Sequence, residues 1–145
     1  MKRNPPPPTD QGNIITVRVD APAAASEWST VVPPGRVWRF ISGHARFVAD
    51  ANVATRNLRL LVLDGSDVVT YGIPHSGVAA SGDVQIGYNP STYTALAVTA
   101  GNYNVALPVY LLLRPGDIIT SQSTSLQAGD QYSEINLRVE EWVEA

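Results

Sequence analysis

The chain contains no cysteine, which removes disulfides, thiolate metal sites and cysteine nucleophiles from consideration. Histidine is almost as scarce: His44 and His75 are the only two, and neither belongs to an HxH or HExxH pattern. Lysine occurs once, as Lys2, so little is available for phosphate-loop or Schiff-base chemistry, and GxSxG and GxGxxG patterns are absent as well. Charged residues make up 16% of the 145-residue chain, against about 25% in an ordinary soluble domain. A surface this poor in charge suits faces covered by partners. The net charge of −3 gives no basic field for nucleic acid. The longest apolar run, Val105 to Leu113, falls far short of the ~20 residues that span a bilayer, so no membrane role is expected.

What is present divides the chain in two. Residues 1–12 open with Lys2 and Arg3, a start resembling a signal-peptide n-region, but Pro5, Pro6, Pro7 and Pro8 follow where an apolar stretch is required. Prolines lack backbone donors and favour polyproline II, so this stretch cannot join a sheet and reads as a stiff arm or an idle tail. Nine arginines supply nearly all remaining cations; Arg favours bidentate interface contacts, and base composition of the genome explains the bias equally well.

Residues 13–145 carry β signals throughout. Ile15, Val17 and Val19 alternate with Thr16, Arg18 and Asp20, the period of a half-buried strand. At the other end Ile135, Leu137, Val139 and Val143 share one face, and Asn136, Arg138, Glu140 and Glu144 the other. Further strands are expected near 26–32, 36–49, 57–64, 67–73, 83–88, 93–99, 105–113 and 117–124. Turns are expected at Pro33-Pro34-Gly35, Asp64-Gly65, Asn89-Pro90, Pro115-Gly116-Asp117 and Ala128-Gly129-Asp130. The pattern predicts one all-β domain, a jelly-roll-like antiparallel β-sandwich of about eight to ten strands with an extended N-terminal arm.

The candidate chemistry is thin. A cupin-type metal site needs several histidines and a carboxylate converging in a barrel, and two separated histidines do not supply it. His44 reads as a sheet or interface residue, and His75 as a loop residue beside Ser76. Glu140 and Glu141 are adjacent on a strand and so face opposite ways. Glu141 falls on the apolar face, which places it at the rim or against an arginine. Asp64 and Asp67 flank a Gly-Ser turn, without the ligand ladder of a calcium loop. Tyr88, Tyr93 and Tyr103 stand among small polar residues, suiting either sugar stacking or anchorage in the core. Trp28 and Trp38 read as packing residues. Trp142, on the polar face of the last strand, calls for a covering element or subunit.

The run Val32-Pro33-Pro34-Gly35-Arg36-Val37-Trp38-Arg39 is followed by Leu113-Arg114-Pro115-Gly116-Asp117, by Leu126-Gln127-Ala128-Gly129-Asp130-Gln131-Tyr132 and by Val139-Glu140-Glu141-Trp142. In this order and spacing the segments resemble tailed-phage structural proteins. With the Pro-rich arm, the chain is similar to head auxiliary, or decoration, proteins such as those of thermophilic siphophages. The resemblance implies a non-enzymatic homotrimer on the capsid surface of the virion, docked on the major capsid protein lattice, with no cofactor. The expected partner-binding residues are Lys2, Arg3, Pro5, Pro6, Pro7, Pro8 and Trp142. The alternative is a carbohydrate- or receptor-binding module of a phage tail or fibre that uses residues 88–104.

Overall fold

The computed structural model describes residues 12–72, 77–90 and 101–144, and among these it has ten strands and no helix. The strands are β1 (Asn13–Val19), β2 (Ser29–Val31), β3 (Arg36–Val48), β4 (Leu58–Asp64), β5 (Asp67–Gly72), β6 (Asp83–Pro90), β7 (Asn102–Leu107), β8 (Leu112–Leu113), β9 (Ile118–Ser123) and β10 (Gln131–Val143). They form two packed sheets. One runs β1-β10-β3-β6-β7, with β8 also paired to β3; the other runs β2-β9-β4-β5. The architecture is the expected all-β sandwich. Every strand pair is antiparallel except β6 with β7, which run parallel.

Period-2 alternation builds the core. Leu58, Leu60 and Val62 of β4, Val84, Ile86 and Tyr88 of β6, and Ile135, Leu137 and Val139 of β10 all turn inward and are buried. Trp28 meets Tyr88 edge-on at 5.9 Å, and Phe47 meets Tyr132 at 4.8 Å. Fully burying a side chain of this size contributes roughly 1.5–3 kcal/mol.

The two longest strands keep their apolar residues inward only because each is bulged. On β3, Trp38 and Phe40 face the core, but so do Ala45 and Phe47. The parity changes at Ile41, which has no partner between the Arg138↔Ser42 and Val139↔Phe40 pairs. On β10 the shift lies between Ser133 and Asn136, where Glu134 has a φ of 52°. An extra residue flips the facing of all that follow.

Several boundaries differ from expectation. The run 105–113 is not one strand: Pro108 lacks a ladder donor and Tyr110 adopts a φ of 60°, so β7 ends and β8 begins after a turn. Asn89-Pro90 is not a turn but the end of β6, where these residues pair with Ala106 and Leu107. Strand 26–32 shrinks to β2. Val143, expected inward, is exposed because it lies opposite Arg36 at the sandwich end. The strand expected at 93–99 lies outside the described residues.

Candidate interaction surface

Two of the singled-out residues, Trp142 and Glu140, lie with Gly12 at one corner of the larger sheet. β1 is one of its two edge strands, β7 being the other, and pairs with β10 over Asn13–Val19. Register places Leu112, Arg39, Glu140 and Ile14 in one row across β8, β3, β10 and β1. Arg39 forms an ion pair with Glu140, and the Gly12 amide donates to Glu140 Oε1 at 2.9 Å. These two contacts explain why Glu140, expected on the open polar face, is 6% exposed. Gly12 also lies so close to Trp142 that a Cβ on it would sit 2.8 Å from the indole Cε2. Trp142 is thus half-buried with Gly12 over it, while the neighbouring Ile14 remains 61% exposed.

The root of the N-terminal arm and Trp142 are therefore brought together. Lys2, Arg3, Pro5, Pro6, Pro7 and Pro8 lie outside the described residues, as do His75 and Tyr93.

The other candidates resolve into structural roles. Trp28 and Trp38 are buried in the core. Glu141 accepts from Trp38 Nε1 at 2.8 Å and lies 3.9 Å from Arg36, the arginine pairing its position called for. His44 sits mid-strand on the outer face, its Nδ1 donating to the Glu134 carbonyl at 3.1 Å and its Nε2 2.5 Å from Gln85 Oε1. Tyr88 is buried, and the Tyr103 hydroxyl donates to the Gly77 carbonyl at 3.1 Å. The Tyr103 ring is half-buried and packs against the core. Asp64 and Asp67 close the β4–β5 hairpin, with Gly65 at a φ of 63°. No cluster of three or more metal-ligating side chains occurs among the described residues.

Two buried polar networks have no counterpart in the sequence reading. Arg56, fully buried, makes a bidentate pair with Asp130 (Nε to Oδ2 2.9 Å, Nη2 to Oδ1 3.1 Å). Its Nη2 also reaches Asp50 Oδ1 at 2.8 Å, and its Nη1 donates to the Ala54 carbonyl. Asp130 accepts further from the amides of Gln127 and Asp50, and Asp50 from those of Gly129 and Asn52. Burial pushes the Asp130 carboxyl up, but the Arg56 and amide hydrogen bonds outweigh it and hold it below its ordinary value. The network pins the loop after β3 to the turn before β10.

That turn has a twin. In Arg114-Pro115-Gly116-Asp117 and Gln127-Ala128-Gly129-Asp130, the aspartate carboxylate accepts the amide three residues back at 2.8 Å, and its own amide donates to that residue's carbonyl at 3.0 Å. Asp117 closes the turn that leads into β9, and Asp130 the turn that leads into β10.

The second network surrounds Glu27. Its carboxylate accepts from Ser121 Oγ and from the Ser123 amide at 2.5 Å, and Ser123 Oγ bonds the Tyr132 hydroxyl at 2.5 Å. Burial drives the Tyr132 phenol well above its ordinary range. The network joins the loop before β2 to β9 and β10. The alternating serines of Ser121-Gln122-Ser123 were its only sequence signal, and they are equally at home on a polar strand.

No protein-family model, curated protein or solved structure matches the chain.

Proposed function

We propose that the chain is a structural virion protein that decorates and stabilises a phage capsid, binding the major capsid protein lattice as a homo-oligomer, a trimer by resemblance. It acts by covering surface and not by catalysis. The observation that carries this reading is the placement of the arm's root: Gly12 rests on Trp142 and Glu140 beside an edge strand of the larger sheet. A β body in which a run of four prolines, Pro5 to Pro8, precedes an edge strand in sequence suits a cement role. Such a segment loses less conformational freedom on docking than a flexible one. Exposed Ile14 and Leu112 in the same row add apolar area beside the root.

Of the tyrosines that the sugar-binding alternative would use, Tyr88 and Tyr103 turn into the body, and Tyr93 lies outside the described residues. The test is to purify virions and DNA-free heads of the phage that encodes the chain and map their proteins. The chain should be present in many copies on the outer capsid surface. Its absence from heads, or its location in tail or fibre, would overturn the proposal.

A further inference from the structure

The free edge of β1 has the features of a docking strand. Its seven residues pair with β10 on one side, and no described residue pairs with the other. Alternate backbone N–H and C=O groups along that side thus have no partner among the described residues and suit pairing with another strand. Natural edges are commonly blunted by proline, lysine or a bulge. β1 contains neither residue, its one charged side chain is Arg18, and its register with β10 runs without a shift.

Both faces of the edge specify what would fit. Inward, Ile15, Val17 and Val19 pack against the core yet are only half-buried, so an added strand with apolar side chains there would cover them. Outward, Arg18 lies opposite Asn136 on β10, which makes Arg138 its diagonal neighbour. Both arginines are exposed and neither pairs with a carboxylate among the described residues. The other carboxylates of this face are engaged elsewhere: Glu140 with Arg39, and Asp83 with Arg46, beside which Glu134 lies. Asp20 falls just beyond the end of the strand. A second copy of β1 would bring another Arg18 to this surface, whereas a strand bearing carboxylates would neutralise the two already there.

We infer that the β1 edge binds an extended acidic segment of a partner protein by strand addition. The segment's apolar side chains cover Ile15, Val17 and Val19, and its carboxylates face Arg18 and Arg138. This holds whether or not the partner is a capsid protein.

The test uses the full chain and two fluorescein-labelled heptapeptides, one alternating valine with glutamate and the other valine with lysine. The glutamate peptide should bind about tenfold more tightly or better, with a preference that shrinks in high salt. It should also slow amide exchange within residues 13–19. The double variant R18E/R138E, confirmed folded by its melting midpoint, should reverse the preference; the salt and exchange measurements need no variant. Equal affinity for both peptides, or binding of neither up to roughly 1 mM, overturns the inference. So does exchange at 13–19 that slows with protein concentration alone, since a second copy would then occupy the edge. Such a failure with capsid decoration intact would remove this inference and leave the proposed function standing.

Discussion

Replacing Arg56 by Met tests whether the buried ion-pair network is a structural staple. The guanidinium is fully enclosed, and Asp130 beside it is equally enclosed. Methionine keeps much of the side-chain volume and removes the charge, leaving Asp130 without its cation. Breaking a buried pair from one side costs about 3–5 kcal/mol. For a domain of this size each kcal/mol lowers the melting midpoint by about 3 °C, so the expected drop is about 9–15 °C. Calorimetry gives the midpoint, and urea unfolding with an unchanged slope shows that the loss is one of stability. Arg46 supplies the internal control. It makes the same bidentate geometry with Asp83, at 3.0 and 2.6 Å, but with both partners well exposed. Arg46→Met should leave the midpoint nearly unchanged. Equal effects of the two substitutions, or an Arg56→Met cost under about 1 kcal/mol, would refute the argument from burial.

The same network governs acid sensitivity. Asp130 and Asp50 lie below the ordinary value of 3.8, so the stability they add is present above it and lost as pH falls through the lower folded values. The urea midpoint should hold from about pH 7 to 5 and fall below about pH 4; a midpoint that rises on acidification would contradict this. At high pH the sign reverses: burial raises the Tyr88 and Tyr132 phenols above 10.0, so they favour the fold below that value and oppose it as pH climbs past. Ultraviolet titration should therefore show both ionising only with unfolding, and Tyr88→Phe and Tyr132→Phe should leave the folded-state titration unchanged. Gly72→Ala should destabilise by about 1–3 kcal/mol, because a Cβ there would sit 2.5 Å from Val105 Cγ1 and 2.8 Å from the Ala106 carbonyl, where β5 meets β7; a neutral result in thermal melts would show that the two edges can separate freely.

The sandwich was legible where strands alternate strictly and turns carry glycine. Ile15 to Val19, the Asp64-Gly65 hairpin and the Pro115-Gly116-Asp117 turn all stand as read. Legibility failed where a long-range partner overrides local pattern. The bulges at Ile41 and Glu134 occur at residues with no special backbone preference; pairing between β3 and β10 imposes them. Arg56 looked like any surface arginine, since Asp130 is 74 residues away in sequence. Glu141 was placeable because one carboxylate on an apolar face needs a partner, and Arg36 and Trp38 supply it. Trp142 announced its need for cover, but not that Gly12 would provide it. The parallel pairing of β6 with β7 left no local trace either, because strand direction is a property of the connection.

The most direct test of the decoration proposal compares the full chain with a form lacking residues 1–11, each cosedimented with undecorated heads and each melted alone. Gly12 is retained, because its amide bonds Glu140 and its backbone packs on Trp142. The full chain should bind saturably. The truncated form should melt at nearly the same temperature yet bind more weakly by a few kcal/mol, about a hundredfold. Failure of the full chain to bind heads at all would contradict the proposal, and equal binding by both forms would remove the arm from it.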